Sequence, residues 1–246
     1  MELRANLTDI ITQYPSLNWR KGVNERAELT SILTKVPTED DIEKTDYNIK
    51  FLYDSDSVFL DGYFLATSDF KAKNLIVTNF SSPKVQGLKF DVQIDTEGVG
   101  NVYLEASKID ISSFIDSDIF MRSNQNIPIP NLNNINLNVL EIDKVIGKNG
   151  EDISSINGRI NLNDGKIKEM DLAGNFNQNK DTLIQIVYRG ADSDLPVDLG
   201  VTTDDGGAFL RFMGIYNQAQ EGYMQLRATG RNINNMTGQM GIEDIL

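Results

Sequence analysis

From about residue 46 onward the chain alternates apolar and polar positions with a period of two. The clearest run is Leu88-Lys89-Phe90-Asp91-Val92-Gln93-Ile94-Asp95, in which every even position is apolar and every odd one polar. Ile49, Phe51 and Tyr53 alternate in the same way, as do Val102, Leu104 and Ala106, and then Ile135, Leu137 and Val139. Ile160 and Leu162, Val197, Leu199 and Val201, and finally Met224, Leu226 and Ala228 complete the series. Strict alternation marks strands with one dry face and one wet face, the habit of antiparallel rather than buried parallel sheets. Turn signals at Asp61-Gly62, Lys148-Asn149-Gly150, Asn163-Asp164-Gly165 and Arg189-Gly190 predict a meander of short strands joined by hairpins. The Asn-rich stretch from Asn124 to Asn134, with Pro128 and Pro130, reads as a loop crossing to the next strand.

Ahead of this series the period reads as helical. Leu3, Leu7, Ile10, Ile11 and Tyr14 fall at helical spacing before Pro15. Leu29, Ile32, Leu33 and Val36 then sit at i, i+3, i+4 and i+7, with Asn24 as N-cap and Pro37 as the stop. The spacing predicts an N-terminal helical segment over 1–45, followed by an antiparallel β domain over 46–246. One more helix is expected over about 206–216, where Phe209, Phe212, Met213 and Tyr216 repeat the pattern. Asp205 and Gly207 would form its cap, the carboxylate accepting from free N–H groups of the first turn.

Composition narrows the chemistry. Asp+Glu outnumber Lys+Arg by 36 to 23, a formal net charge of -13, so phosphate backbones and anionic bilayer surfaces are repelled and no nucleic-acid partner is expected. There is no His and no Cys in the chain. A Ser-His-Asp arrangement, thiolate chemistry and His- or Cys-ligated zinc are therefore excluded. No run approaches the roughly 20 apolar residues that span a bilayer as a helix.

What remains carries no catalytic signature. Asp54, Asp56 and Asp61-Gly62 suggest a calcium loop, but Phe59 and Leu65 stand where such a loop needs Gly and Glu. The glycines of Arg189-Gly190-Ala191 and Gly206-Gly207 lack the Lys of a phosphate loop. No two carboxylates are singled out as a glycosidase pair. The expectation is a protein that is not an enzyme, with no catalytic residue, no metal ligand and no cofactor.

An amphipathic antiparallel sheet has two outcomes. Two apolar faces can meet in a sealed sandwich, or one can curve into a half-open trough that holds an acyl chain. In a trough, the candidate lining is Phe90, Val92, Leu104, Leu137, Ile160, Leu162, Leu199 and Leu226, each on the apolar phase of its own strand. Whether they share one surface depends on register.

The C-terminal third carries a resemblance. Leu195-Pro196-Val197-Asp198-Leu199-Gly200-Val201, then Asp205-Gly206-Gly207-Ala208-Phe209-Leu210-Arg211-Phe212-Met213-Gly214-Ile215-Tyr216, then Gly222-Tyr223-Met224-Gln225-Leu226 resemble the C-terminal region of AsmA-like proteins of the YhdP type. Ala106-Ser107-Lys108-Ile109-Asp110-Ile111 resembles a strand end of that family, and the run from Ile153 to Gly165 its next hairpin. The likeness covers about residues 85 to 246; Met213 and Glu221 depart from the pattern. It implies a curved, twisted antiparallel sheet forming a half-open groove, a segment of a bridge that passes phospholipids between inner and outer membranes. It further implies a place on the periplasmic face of the inner membrane, anchored through an N-terminal helix missing here, with a possible outer-membrane partner. This chain would then be a fragment of a longer one. The alternative is a non-catalytic scaffold for outer-membrane or envelope assembly with a sealed core.

Overall fold

The computed structural model describes residues 1–14, 19–38, 41–69, 72–95, 98–115, 134–164, 166–176, 182–190, 196–231 and 235–243. The described chain is mainly β and divides into two compact units, Met1–Ile94 and Asp95–Leu246.

In the first unit the strands are β1 (Glu2–Asn6), β2 (Thr12–Tyr14), β3 (Trp19–Lys21), β4 (Ala27–Thr38), β5 (Asp41–Ser55), β6 (Phe59–Ala66), β7 (Ala72–Ser81), β8 (Val85–Gln86) and β9 (Leu88–Ile94). They form an antiparallel sheet in the order β1-β4-β5-β6-β7-β9, and β2 pairs with β3 in a separate ribbon. Leu29 faces Tyr53, Leu33 faces Ile49, Ile49 faces Phe64, Leu75 faces Val92 and Val77 faces Phe90. One face therefore collects the apolar phase of every long strand, because side chains paired across a ladder point the same way.

The helices expected over 1–45 are strands instead. Leu29 and Leu33 lie on one face of β4, while Ile32 and Val36 lie on the other with Thr30 and Thr34. Apolar residues on both faces of a strand imitate helical spacing. The β-branched content of Thr30, Ile32, Thr34 and Val36 and twelve pairings with β5 decide for the strand. Asn24 sits in a turn with φ 68°, not at a helix start, and Trp19 lies in β3. Pro15 lies outside the described residues.

Asp61-Gly62 is also not a turn. It lies inside β6, at a register shift against β7. A Cβ on Gly62 would stand 2.4 Å from the Ile76 carbonyl oxygen and 2.8 Å from Phe51 Cζ. The glycine is there because the Phe51 ring crosses it.

In the second unit come β10 (Val99–Ala106), β11 (Lys108–Asp110), α1 (Ser112–Ile115), β12 (Asn134–Ile146), β13 (Asp152–Asn163), β14 (Lys166–Phe176), β15 (Leu183–Arg189), β16 (Val197–Thr203), α2 (Gly206–Phe212), β17 (Tyr223–Gly230) and β18 (Met236–Glu243). The sheet order is β10-β12-β13-β14-β15-β16-β17-β18. It is open, not a barrel. From β12 on, every neighbouring pair is antiparallel. β10 and β12 are parallel, a departure from a simple meander. A parallel neighbour needs a long crossover, and the stretch from Ser107 to Asn133 supplies the length. The Asn-rich loop inside it, up to residue 133, lies outside the described residues.

Three register irregularities lie side by side where β10, β12, β13 and β14 run together. They fall between Leu104 and Glu105, between Val139 and Ile142, and between Ser154 and Asn157. Gly158, at φ +142°, sits in this line; a Cβ there would stand 2.0 Å from the Asp171 carbonyl oxygen.

The second unit's core gathers at one end of its sheet. Phe176, Ile184, Thr203 and Met224 are buried there with Phe209, Leu210 and Phe212 of α2. The Phe176 and Phe212 rings meet edge to face with centroids 6.1 Å apart. The helix is shorter than the expected 206–216. Gly214 turns left-handed at φ 70°, the Ile215 N–H bonds back to the Leu210 carbonyl and the Gly214 N–H to Arg211. That pattern closes a helix.

Candidate functional site

Register settles which of the candidate lining residues share a surface within each unit. Gly100, Ile135, Leu162 and Ile167 form one row. The next row runs Val102, Leu137, Ile160, Met170, Tyr188, Leu199, Ala228 and Gly238. Beside it runs Leu104, Val139, Gly158, Leu172, Ile186, Val201, Leu226 and Met240. Leu104, Leu137, Ile160, Leu162, Leu199 and Leu226 thus stand on a single face of the second unit, which runs across the whole width of its sheet. Phe90 and Val92 stand on the apolar face of the first unit, opposite Val77 and Leu75.

The opposite face of the second unit is mainly polar, broken by Tyr103 and Val187. Its middle row reads Tyr103, Asn138, Arg159, Asp171, Val187, Gly200, Arg227 and Gln239. Next to it come Asn101, Asn136, Asn161, Glu169, Arg189, Asp198, Thr229 and Thr237, and Asn136 Nδ2 donates to Asn101 Oδ1 at 3.0 Å. A depression on this side is lined by Arg159, Asn161, Glu169, Asp171, Val187 and Arg189, with Met170 and Tyr188 also reaching it. Its charges alternate in sign and favour no one ligand.

All eight candidate lining residues keep part of their surface in contact with solvent. In a sealed sandwich the inner residues of both sheets would be fully buried. Full burial on the second unit's apolar face is densest at the end under α2, and Ile135, Val139, Val197 and Val201 are buried elsewhere on that face. At the α2 end the Gly206 N–H donates to the Gly222 carbonyl and the Gly207 N–H to the Glu221 carbonyl. A Cβ on Gly207 would lie 2.6 Å from the Glu221 nitrogen, so only glycine lets the helix approach this closely. Asp205 is the N-cap: its Oδ1 accepts from the Ala208 N–H at 2.7 Å, and its own N–H donates to Thr203 Oγ1 at 3.1 Å. Arg211 fixes the far side of the helix through Glu151 Oε1 and the Ala219 carbonyl.

No family model, no curated protein and no solved structure matches the chain. The site is therefore described by its own chemistry. Among the described residues no cluster of acidic side chains is arranged to hold a metal ion. Asp54 pairs with Arg26 Nη2 at 3.2 Å, and Asp56 accepts the Arg26 backbone N–H at 3.0 Å, so both serve the β4–β5 end of the sheet.

Sequence reasoning missed Tyr188. It lies in the row of Leu137, Ile160 and Leu199, the one phenol in that row, and burial pushes its pKa up from 10.0. The signal was present, since Ile184, Ile186 and Tyr188 alternate, but the run sits in a segment where Val187 blurs the polar phase.

Proposed function

We propose that this chain is a non-enzymatic, lipid-handling segment whose apolar face shields phospholipid acyl chains while its polar face meets water. One observation carries the reading. Six residues chosen on sequence phase alone stand on one uninterrupted apolar face of the second unit, and each is only partly buried. Acyl chains laid along such a face gain about 25 cal/mol per Å2 of hydrocarbon withdrawn from water. The asparagines and alternating charges on the other side keep that side hydrated. The sheet in this reading curves into a half-open groove, with α2 closing one end around Phe209 and Phe212. The AsmA-like resemblance adds the setting: a periplasmic segment of a bridge between inner and outer membranes.

The test joins two measurements on the same protein. Lipid extracted from freshly purified chain, read by mass spectrometry, is expected to contain co-purified phospholipid. Leu162→Glu is expected to keep the fold, by circular dichroism and melting temperature, and to lose the lipid. Asn161→Glu, on the opposite face, is expected to lose neither. Absence of lipid in the parent protein, or undiminished lipid in Leu162→Glu, overturns the reading. Unfolding of Leu162→Glu points instead to a sealed core, because an unpaired buried charge costs several kcal/mol.

A further inference from the structure

We infer that the polar face of the second unit carries a binding site for an uncharged oligosaccharide, centred on Tyr103 and the asparagines around it. In the adjacent strands β10, β12 and β13 the register sets six asparagines side by side on this face. Asn134 and Asn163 share one row, Asn101, Asn136 and Asn161 the next, and Asn138 stands opposite Tyr103 in the third. Arg159 is the one charged residue of these rows, in a chain whose net charge is -13. Glu105 and Glu141 end the patch beyond the register shift.

Asparagine is a poor strand residue, and threonine would hydrate an outer face at less cost. A local preference broken six times in one place is expected of a working surface rather than of a scaffold. The fold makes little use of these amides. Asn136 Nδ2 donates to Asn101 Oδ1 at 3.0 Å and Asn161 Nδ2 to Glu169 Oε2 at 3.4 Å. Among the described residues the side chains of Tyr103, Asn134 and Asn138 have no hydrogen-bond partner. Tyr103 itself is a large ring on the wet side of its strand, 38% exposed.

The occupant follows from this chemistry. A carboxamide offers two donors and a carbonyl acceptor without charge, and the hydroxyls of a sugar call for both. The C–H face of a pyranose ring is apolar and lies flat on an aromatic ring, whose own hydroxyl stays at the wet edge. A polyanion would find a single arginine to pair with and an acidic molecule around it. The depression lined by Arg159, Asn161 and Asp171 begins at the edge of the patch, so a chain longer than one sugar has a hollow to enter. The apolar face plays no part here, so a protein that carries no lipid leaves this inference standing.

Saturation-transfer NMR on the whole chain, with maltohexaose, cellohexaose and hexameric N-acetylglucosamine in turn, is expected to show transfer to at least one of them. Tyr103→Ala should weaken that binding about tenfold. Tyr103→Phe keeps the ring and should retain it. Asn138→Asp is isosteric, is expected to keep the circular dichroism of the parent, and should also weaken binding. Transfer to none of the three sugars overturns the inference. So does undiminished binding in Tyr103→Ala or in Asn138→Asp, and if Tyr103→Ala unfolds, Asn138→Asp decides alone. Binding of oligogalacturonate as tight as that of the neutral sugar overturns the uncharged class.

Discussion

Asp205 does its work with one oxygen. By accepting the Ala208 N–H it supplies a partner that the short helix cannot provide for itself. Asp205→Ala should lower stability by about 0.5 to 2 kcal/mol, read by urea denaturation. Lys21 shows the same economy on a larger scale. It is fully buried, and its ammonium donates to the carbonyl oxygens of Thr8, Ile10 and Gly22 at 2.8 to 2.9 Å, filling all three donors. Lys21→Met removes those bonds and should cost about 1 to 3 kcal/mol, read in the same way. Tyr188 is expected to ionise above pH 10.0 in an alkaline titration, and Tyr188→Phe should remove that step. Its folded pKa is raised above the unfolded value of 10.0. Its contribution to stability is therefore full below about pH 10 and lost as pH climbs through the raised value.

Among elements, the strands that sequence patterning exposes are those with one wet face. In β9, β17 and the part of β12 before Leu140 the alternation is clean because half of each strand meets solvent. β4 escapes the same reasoning because Leu29 and Leu33 serve one face and Ile32 and Val36 the other, so a period of two dissolves into apparent turns of helix. Gly62 misleads in a related way. Asp-Gly is a turn signal only where the chain must reverse; inside β6 the glycine makes room for a ring. Gly62→Ala should therefore destabilise the first unit, with a melting temperature that falls even though alanine suits a strand better than glycine. The strand phase of the candidate lining residues was legible one strand at a time, whereas their shared face depends on pairings that no local pattern encodes. The parallel pairing of β10 with β12 was equally hidden, since a crossover names neither its direction nor its destination.

At the scale of the whole molecule, each of the two units presents one apolar sheet face, and the chain carries a net charge of -13. A net charge this far from zero opposes association of molecules whose apolar surfaces stay within reach of water. The line of irregularities across β10, β12 and β13 now acquires a meaning for how this sequence can change. Leu140 is the residue by which β12 outruns β10, since Leu104 faces Val139 and Glu105 faces Glu141. Beyond that point apolar residues hold their face only because an odd residue has been absorbed. Removing Leu140 would make the two strands equal in count, with Glu141 still opposite Glu105 and Ile142 still opposite Ala106, so the sidedness of β12 would survive. Replacing it would do almost nothing, as its side chain is 52% exposed. The position is indifferent to identity and tolerant of loss, so an inherited gap there would cost the sheet little.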